Sequence, residues 1–336
     1  MIKTIKYPSR EVWQEITKRP VTESVSHEKT VKKILAKVKT KGDKAVRKYT
    51  KEFDGIGLKK LEAGKKEIIA AEKLLSQELK DAIQQAKSNI EKFHQSQKEE
   101  VTVIETMQGI KCWRKSVGIA KVGIYIPGGT APLFSTVLML AIPATIAGCK
   151  EIFLCTPPSK DGSVHPAILY AANLCGVTKI FKAGGVQAIA AMAYGTESIP
   201  KVFKIFGPGN QYVTNAKQLI QKDGVAIDMP AGPSEVLVIA DKSCVPEFVA
   251  ADLLSQAEHG TDSQVILLAT SEAVAEKVQD SIKEQLKDLP RKEIAEKALA
   301  NSRIVLLNSI DEAIELSNLY APEHLILSCS AAEELH

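Results

Sequence analysis

Hydrophobic positions along this 336-residue chain follow two different rhythms. In the first hundred residues, apolar side chains recur every three to four positions. Leu75, Leu79, Ile83, Ala86, Ile90 and Phe93 share one helical face, so the spacing predicts a helix over Lys65–His94 and a shorter one over Val31–Tyr49. Further along, short β-branched runs take over at Val122–Ile126, Ile152–Cys155, Ile180–Phe181, Val202–Phe206 and Val225–Ile227. Helical patterns at Thr136–Ala147, His165–Cys175, Val186–Tyr194 and Tyr212–Ile220 separate them, and this alternation predicts βαβ units around a parallel sheet. A second series repeats the plan, with strands at Val236–Ala240, Val265–Ala269, Ile304–Leu307 and Leu325–Ser328 and helices at Pro246–Ser255, Glu272–Leu286 and Asp311–Asn318. The expected organisation is therefore α/β. Residues 1–117 form a helical N-terminal segment whose later part packs with the second block, 118–232 a first α/β block and 233–336 a second, joined near Gly232-Pro233.

Composition narrows the class. The hydrophobic fraction of 45% and charged fraction of 25% are ordinary for a globular protein, and the chain is long enough to bury a core without staples. The net charge is only +4 and no dense basic run occurs, which argues against nucleic acid as a partner. Cys112, Cys149, Cys155, Cys175, Cys244 and Cys329 form no CxxC pair, a usage that fits a reducing, cytoplasmic compartment. Met1–Trp13 has no apolar h-region. The longest apolar stretch, Thr136–Ala147, contains Pro143 and is too short to cross a bilayer, so no membrane association is expected.

Two glycine-rich loops follow strand patterns: Tyr125-Ile126-Pro127-Gly128-Gly129 and Phe206-Gly207-Pro208-Gly209-Asn210. Glycine lets backbone N–H groups approach a phosphate, but neither loop completes a dinucleotide fingerprint or a P-loop, and each alone reads first as a tight turn. Gln187, just after Gly184-Gly185, either meets a ligand or caps a helix, and capping is the simpler reading. Of the six histidines, His94 lies on a charged helix face, His27 at a helix entry, His165 near a helix start and His336 at the chain end. His259 is three residues after Gln256, on one side of a helix turn. The two either ligate a metal or simply end a helix, and spacing favours the helix end. Glu323 and His324 follow Pro322 just before a strand pattern; side by side they are either an acid–base pair or a solvated polar loop. Cys149 and Cys155 sit in apolar surroundings and read as packing residues.

These residues and their neighbours together resemble the histidinol dehydrogenase family. The resemblance is carried by Gly42-Asp43 with Tyr49-Thr50 and Phe53-Asp54-Gly55, by Val122 to Gly129, by Ala183-Gly184-Gly185-Val186-Gln187-Ala188, by Gly207 to Asn210, by Asp228 to Glu235, by Gln256 to Gly260, and by Ala321 to Leu325, in order across essentially the whole chain. It implies two related, incomplete Rossmann-like domains and a homodimer. It implies Tyr125, Gln187 and Asn210 as NAD contacts, Ser234 as a substrate contact, Gln256 and His259 as ligands of one zinc ion per subunit that also touch substrate, and Glu323 and His324 as the catalytic pair, with His324 also touching substrate. The implied reaction is a four-electron oxidation of L-histidinol through L-histidinaldehyde to L-histidine with two NAD, the last step of histidine biosynthesis.

The family pattern continues past the strand that ends near Cys329, bringing an aspartate and a histidine to the zinc, a glutamate to the substrate, and an arm exchanged between subunits. Here only Ser330–His336 follow, and His336 does not take the ligand role. The sequence as given is therefore expected to bind zinc weakly and to turn over little. The alternative is a truncated, non-catalytic homologue that keeps the fold and binds NAD or a partner subunit.

Overall fold

The computed structural model describes residues 2–19, 27–128, 132–230 and 234–335. Gly129, Gly232, Pro233 and His336, all named above, lie outside them. The chain opens with a short strand, β1 (Lys3–Lys6), and a short helix, α1 (Trp13–Ile16). Three helices follow, α2 (Glu28–Phe53), α3 (Lys65–Lys73) and α4 (Gln77–Gln95), then an antiparallel hairpin of β2 (Val103–Met107) and β3 (Ile110–Trp113). The first α/β block runs β4 (Lys121–Tyr125), α5 (Phe134–Ile146), β5 (Glu151–Thr156), α6 (Pro166–Leu174), β6 (Lys179–Lys182), α7 (Gly185–Tyr194), β7 (Lys204–Phe206), α8 (Gln211–Gln221) and β8 (Ala226–Ile227). The second runs β9 (Glu235–Ala240), α9 (Pro246–Ala257), β10 (Gln264–Ala269), α10 (Glu272–Asp288), α11 (Lys292–Ala300), β11 (Arg303–Leu306), α12 (Ile310–Tyr320) and β12 (His324–Ser328).

These elements form two units, one of Met1–Ser24 with Gly232–His336 (unit 1) and one of Val25–Ala231 (unit 2). Each contains a five-stranded, all-parallel sheet. In unit 2 the order is β6-β5-β4-β7-β8; in unit 1 it is β1-β11-β10-β9-β12. Numbered within its own block, each sheet reads 3-2-1-4, the first part of the dinucleotide-fold order. Unit 2 adds its extra strand beyond the fourth and unit 1 beyond the third, so the two are related and both incomplete.

Strand periodicity explains why each sheet is covered on both faces. In β5, Phe153 and Cys155 enter the core under α2, α7 and α8, while Ile152 and Leu154 enter the core under α3 to α6. In β9, Val236 and Val238 face α9, α10 and α11, whereas Leu237 and Ile239 face α1 and α12. Each such side chain, withdrawn from water, contributes roughly 2 kcal/mol before entropy is counted.

The N-terminal stretch departs from expectation. Residues 1–117 are not one helical segment: Lys3–Lys6 pair in parallel with β11 at the edge of unit 1, whereas α2, α3 and α4 belong to unit 2 and pack on its α7, α6 and α5. The helix expected over Lys65–His94 is two helices, because the Ser76 hydroxyl accepts the Leu79 N–H at 3.2 Å and starts α4 afresh.

Candidate active site

In unit 2 the three residues expected to meet a dinucleotide lie at the carboxyl ends of the parallel strands. The strand order reverses between β4 and β7, where such sheets bind ligands. Tyr125 ends β4 and is buried. Its hydroxyl accepts the Gly185 N–H at 3.0 Å, at the start of α7. Burial pushes the phenol up to about 12, against the lowering by that hydrogen bond and with help from the Asp54 carboxylate, so it stays protonated and can donate. Asn210 is the N-cap of α8, its side-chain oxygen accepting the Val213 N–H at 3.1 Å.

Gln187 does not cap α7, which starts from Gly184 without a side-chain cap. It is 1% exposed and its Oε1 has no hydrogen-bond partner among the described residues. A buried, unpaired amide oxygen is costly unless something else bonds it.

The loops around these residues pack tightly. A Cβ on Gly128 or Gly184 would meet the Pro157 ring, at 2.5 and 2.6 Å, so the loops after β4 and β6 both close on the loop after β5. Gly207 has φ +130°, and a Cβ there would strike the Tyr125 carbonyl. The Gly207 peptide is held from behind: its N–H donates to Asp228 Oδ2 at 2.7 Å and its carbonyl accepts from the buried Lys217 Nζ at 2.8 Å, while Lys217 and Asp228 pair directly. Glycine backbone next to an orphaned amide oxygen fits a dinucleotide that needs close approach and a hydrogen-bond acceptor.

In unit 1 the remaining candidates gather at the opposite, amino end of the sheet. Glu323 and His324 stand where β12 begins, Ser234 and Glu235 where β9 begins, and Gln256 and His259 where α9 ends. Three of these side chains meet on the backbone of Glu235. Its N–H donates to Glu323 Oε2 at 3.2 Å; its carbonyl lies 3.1 Å from His324 Nδ1 and accepts from Gln256 Nε2 at 3.4 Å. A carbonyl only accepts, so His324 carries a proton on Nδ1, and in the neutral ring the Nε2 lone pair is free. The carboxylate and imidazole are 3.7 Å apart and each about half exposed. Ala321, with φ +48°, turns the chain sharply out of α12 and, with Pro322, aims the pair. Ser234 is half-buried beside the hub.

Gln256 and His259 are the metal-ligand candidates. Gln256 spends its amide nitrogen on Glu235 and keeps its oxygen; His259 is exposed. Among the described residues no group of three His, Cys, Asp or Glu side chains is close enough to hold a metal ion. One amide oxygen and one imidazole fall short of a four-donor zinc set. The cysteines stay outside this chemistry: Cys155 is fully buried, and burial pushes its thiol and that of Cys149 up, away from the nucleophilic thiolate.

Sequence reasoning missed the Glu235 backbone as the hub, since main-chain groups leave no residue signature, and missed Pro157, whose ring packs the glycine loops. The reach of Gln256 to a strand start had a trace in the three-residue step to His259, but spacing does not say which strand it meets.

Two Rossmann-like units, with a glycine-lined carboxyl edge in one and an imidazole–carboxylate pair in the other, fit the α/β dehydrogenase class. The sequence model of the histidinol dehydrogenase family matches residues 17–336, and the chain belongs to that family. It is 63% identical over 327 residues to the histidinol dehydrogenase of Bacteroides thetaiotaomicron, covering 97% of this chain and 76% of that protein. It is 52% identical over 325 residues to that of Escherichia coli K12, covering 96% and 74%. The crystal structure of histidinol dehydrogenase from Elizabethkingia anophelis superposes with a TM-score of 0.97 at 56% identity, over 99% of this chain and 77% of that one. Family membership makes this an oxidoreductase of histidine biosynthesis.

Proposed function

We propose that the chain oxidises L-histidinol through L-histidinaldehyde to L-histidine with two NAD. The observation that carries this reading is the pair Glu323 and His324, both hydrogen-bonded to the Glu235 backbone with His324 Nε2 left free. NAD, when bound, accepts hydride in each of the two oxidations. His324 Nε2 takes the alcohol proton in the first, its Nδ1–H fixed on the Glu235 carbonyl so that the ring keeps one tautomer. Glu323 activates water on the aldehyde, giving the hydrate that the second oxidation consumes. Ser234 and the imidazole of His259 contact histidinol. Tyr125, Gln187 and Asn210 contact NAD, with Gln187 Oε1 accepting a hydrogen bond for which no donor lies among the described residues.

Zinc, which the family resemblance implies, would rest here on Gln256 Oε1 and His259. Because these two donors do not complete a cage, no step of the reading runs through the metal. We further propose a cytoplasmic homodimer. The hairpin β2–β3 supports association, since Ile104, Met107, Ile110 and Trp113 are at least half exposed on it. All six cysteines are unpaired, and no helix among the described residues is long and apolar enough to cross a membrane.

The test is a turnover assay with histidinol, NAD and added zinc, counting NADH against histidine. The expected ratio is two NADH per histidine. Histidinol consumed with one NADH and no histidine formed would overturn the proposal.

A further inference from the structure

Arg19 lies on an irregular stretch after α1, carries no sequence signal, and is more than two hundred positions from the residues it binds. Its Nε and Nη2 form a fork on the Glu235 carboxylate, at 2.5 and 2.9 Å. The same Nη2 donates to the carbonyls of Tyr320 at 2.9 Å and Ala321 at 3.1 Å. These are carbonyls at the C-terminal end of α12, where an α-helix leaves its acceptors unmatched. The guanidinium also lies over the Tyr320 ring, 4.6 Å from its centre. Tyr320 is buried and donates to Gln264 Oε1 at 2.9 Å, and Gln264 Nε2 returns to the carbonyl of Lys18 at 3.2 Å. The network is thus closed, from the residue before Arg19 round to the ring beneath its guanidinium.

Every bond Arg19 makes goes either to Glu235 or to the helix end and turn that lead into the reacting pair. Glu235 supplies the backbone groups that hold Glu323 and His324. Ala321 is the left-handed residue that turns the chain towards them, a conformation that costs a non-glycine residue energy and needs outside support. We propose that Arg19 is a positioning residue for catalysis: it locks the start of β9 to the turn before β12 and so sets where Glu323 and His324 stand. Its planar fork does this in a way a lysine cannot, because one ammonium cannot span a carboxylate and two carbonyls in fixed geometry.

The inference rests on Glu323 and His324 being the reacting pair, so its test includes a readout independent of turnover. In the full-length enzyme, Arg19→Met is expected to lower kcat about 100-fold, the scale of an ångström-sized misplacement, with KM for NAD unchanged within about twofold. Arg19→Lys should recover only part of the loss. Folded Arg19→Met with kcat within about twofold of the parent overturns the proposal, even if it melts earlier, because a merely structural arginine changes stability and not turnover of the folded enzyme. If Arg19→Met does not fold, Glu235→Gln decides, since it keeps shape and an acceptor for Arg19 while removing the charge; kcat reduced about tenfold supports the lock and an unchanged kcat overturns it. Independently of activity, the His324 Nδ1–H proton resonance should be protected from exchange in the parent and lose protection in Arg19→Met. Should the parent fail to oxidise histidinol while this change occurs, the activity reading falls and the positioning role stands; protection equal in both overturns it.

Discussion

The two units share a strand order and use opposite ends of it. In unit 2 glycines pack the loops of the carboxyl edge on one another, and Gln187 Oε1 there has no partner among the described residues. In unit 1 the equivalent edge is tied shut. Asp241, just after β9, accepts from the N–H and hydroxyl of Ser243 at 2.8 and 2.5 Å and from those of Ser330, just after β12, at 3.1 and 3.0 Å. Partial burial pushes its carboxyl up, but these four hydrogen bonds outweigh that and hold it at about 2. Unit 1 instead displays its polar side chains at the amino edge, where the first residue of β9 offers a free N–H and C=O to Glu323, His324 and Gln256. One topology therefore carries two arrangements: glycine loops packed at the carboxyl ends of the strands, and strand starts that orient side chains.

The division can be broken by mutation. The largest effect is expected from His324→Asn, which should lower kcat about 1000-fold while leaving the NAD dissociation constant unchanged, read by single-turnover kinetics and calorimetry. Parallel loss of NAD affinity would merge the two sites. Next is Lys217→Met. It leaves Asp228 and the Gly207 carbonyl without their buried partner and should cost unit 2 roughly 3 kcal/mol in denaturant unfolding, with weaker NAD binding and intact His324 protection. Gln187→Leu should weaken NAD about tenfold yet leave the apo-protein as stable or up to about 1 kcal/mol more stable, because it removes an unsatisfied oxygen. Loss of stability would mean that Gln187 is a packing residue.

The smallest effect concerns Asp54, at the C-terminal end of α2, whose Oδ2 is buried without a partner among the described residues. Burial raises its carboxyl from 3.8 to about 6. Below its ordinary value the group is protonated in both folded and unfolded chains and costs nothing. As pH rises through this window the unfolded chain ionises first, so stability falls, and above about 6 the cost is complete. Asp54→Asn should therefore stabilise unit 2 near neutral pH by about 1 kcal/mol, reduced from the full shift by partial exposure, and the gain should vanish in acid. Melting curves across pH measure it, and a gain that persists in acid would show that charge is not its cause.

The parallel strands were legible because β-branched runs such as Val236–Ala240 are buried on both faces and leave a plain apolar signature. β1 was not: Lys3-Thr4-Ile5-Lys6 has one apolar residue and becomes a strand only because β11 lies beside it. α11 and the hairpin β2–β3 escaped for a similar reason, the first short and the second exposed along its whole length. At the site, Gln256, Glu323 and His324 are drawn together, but their meeting point is a main-chain amide and carbonyl. The arginine behind that meeting point lies 216 residues from Glu235, beyond the reach of local pattern. The place of Gln187 near a helix start suggests a cap; its burial is what reveals an oxygen with no partner among the described residues.

The assignment of NAD to the carboxyl edge of unit 2 is tested most directly by a crystal structure of the protein grown with NAD. Density is expected along Gly207–Asn210, with a donor of the dinucleotide within hydrogen-bond distance of Gln187 Oε1 and the Asp241 hydrogen bonds of unit 1 intact. Dinucleotide density over Asp241, with Gln187 Oε1 still unpaired, would refute the assignment.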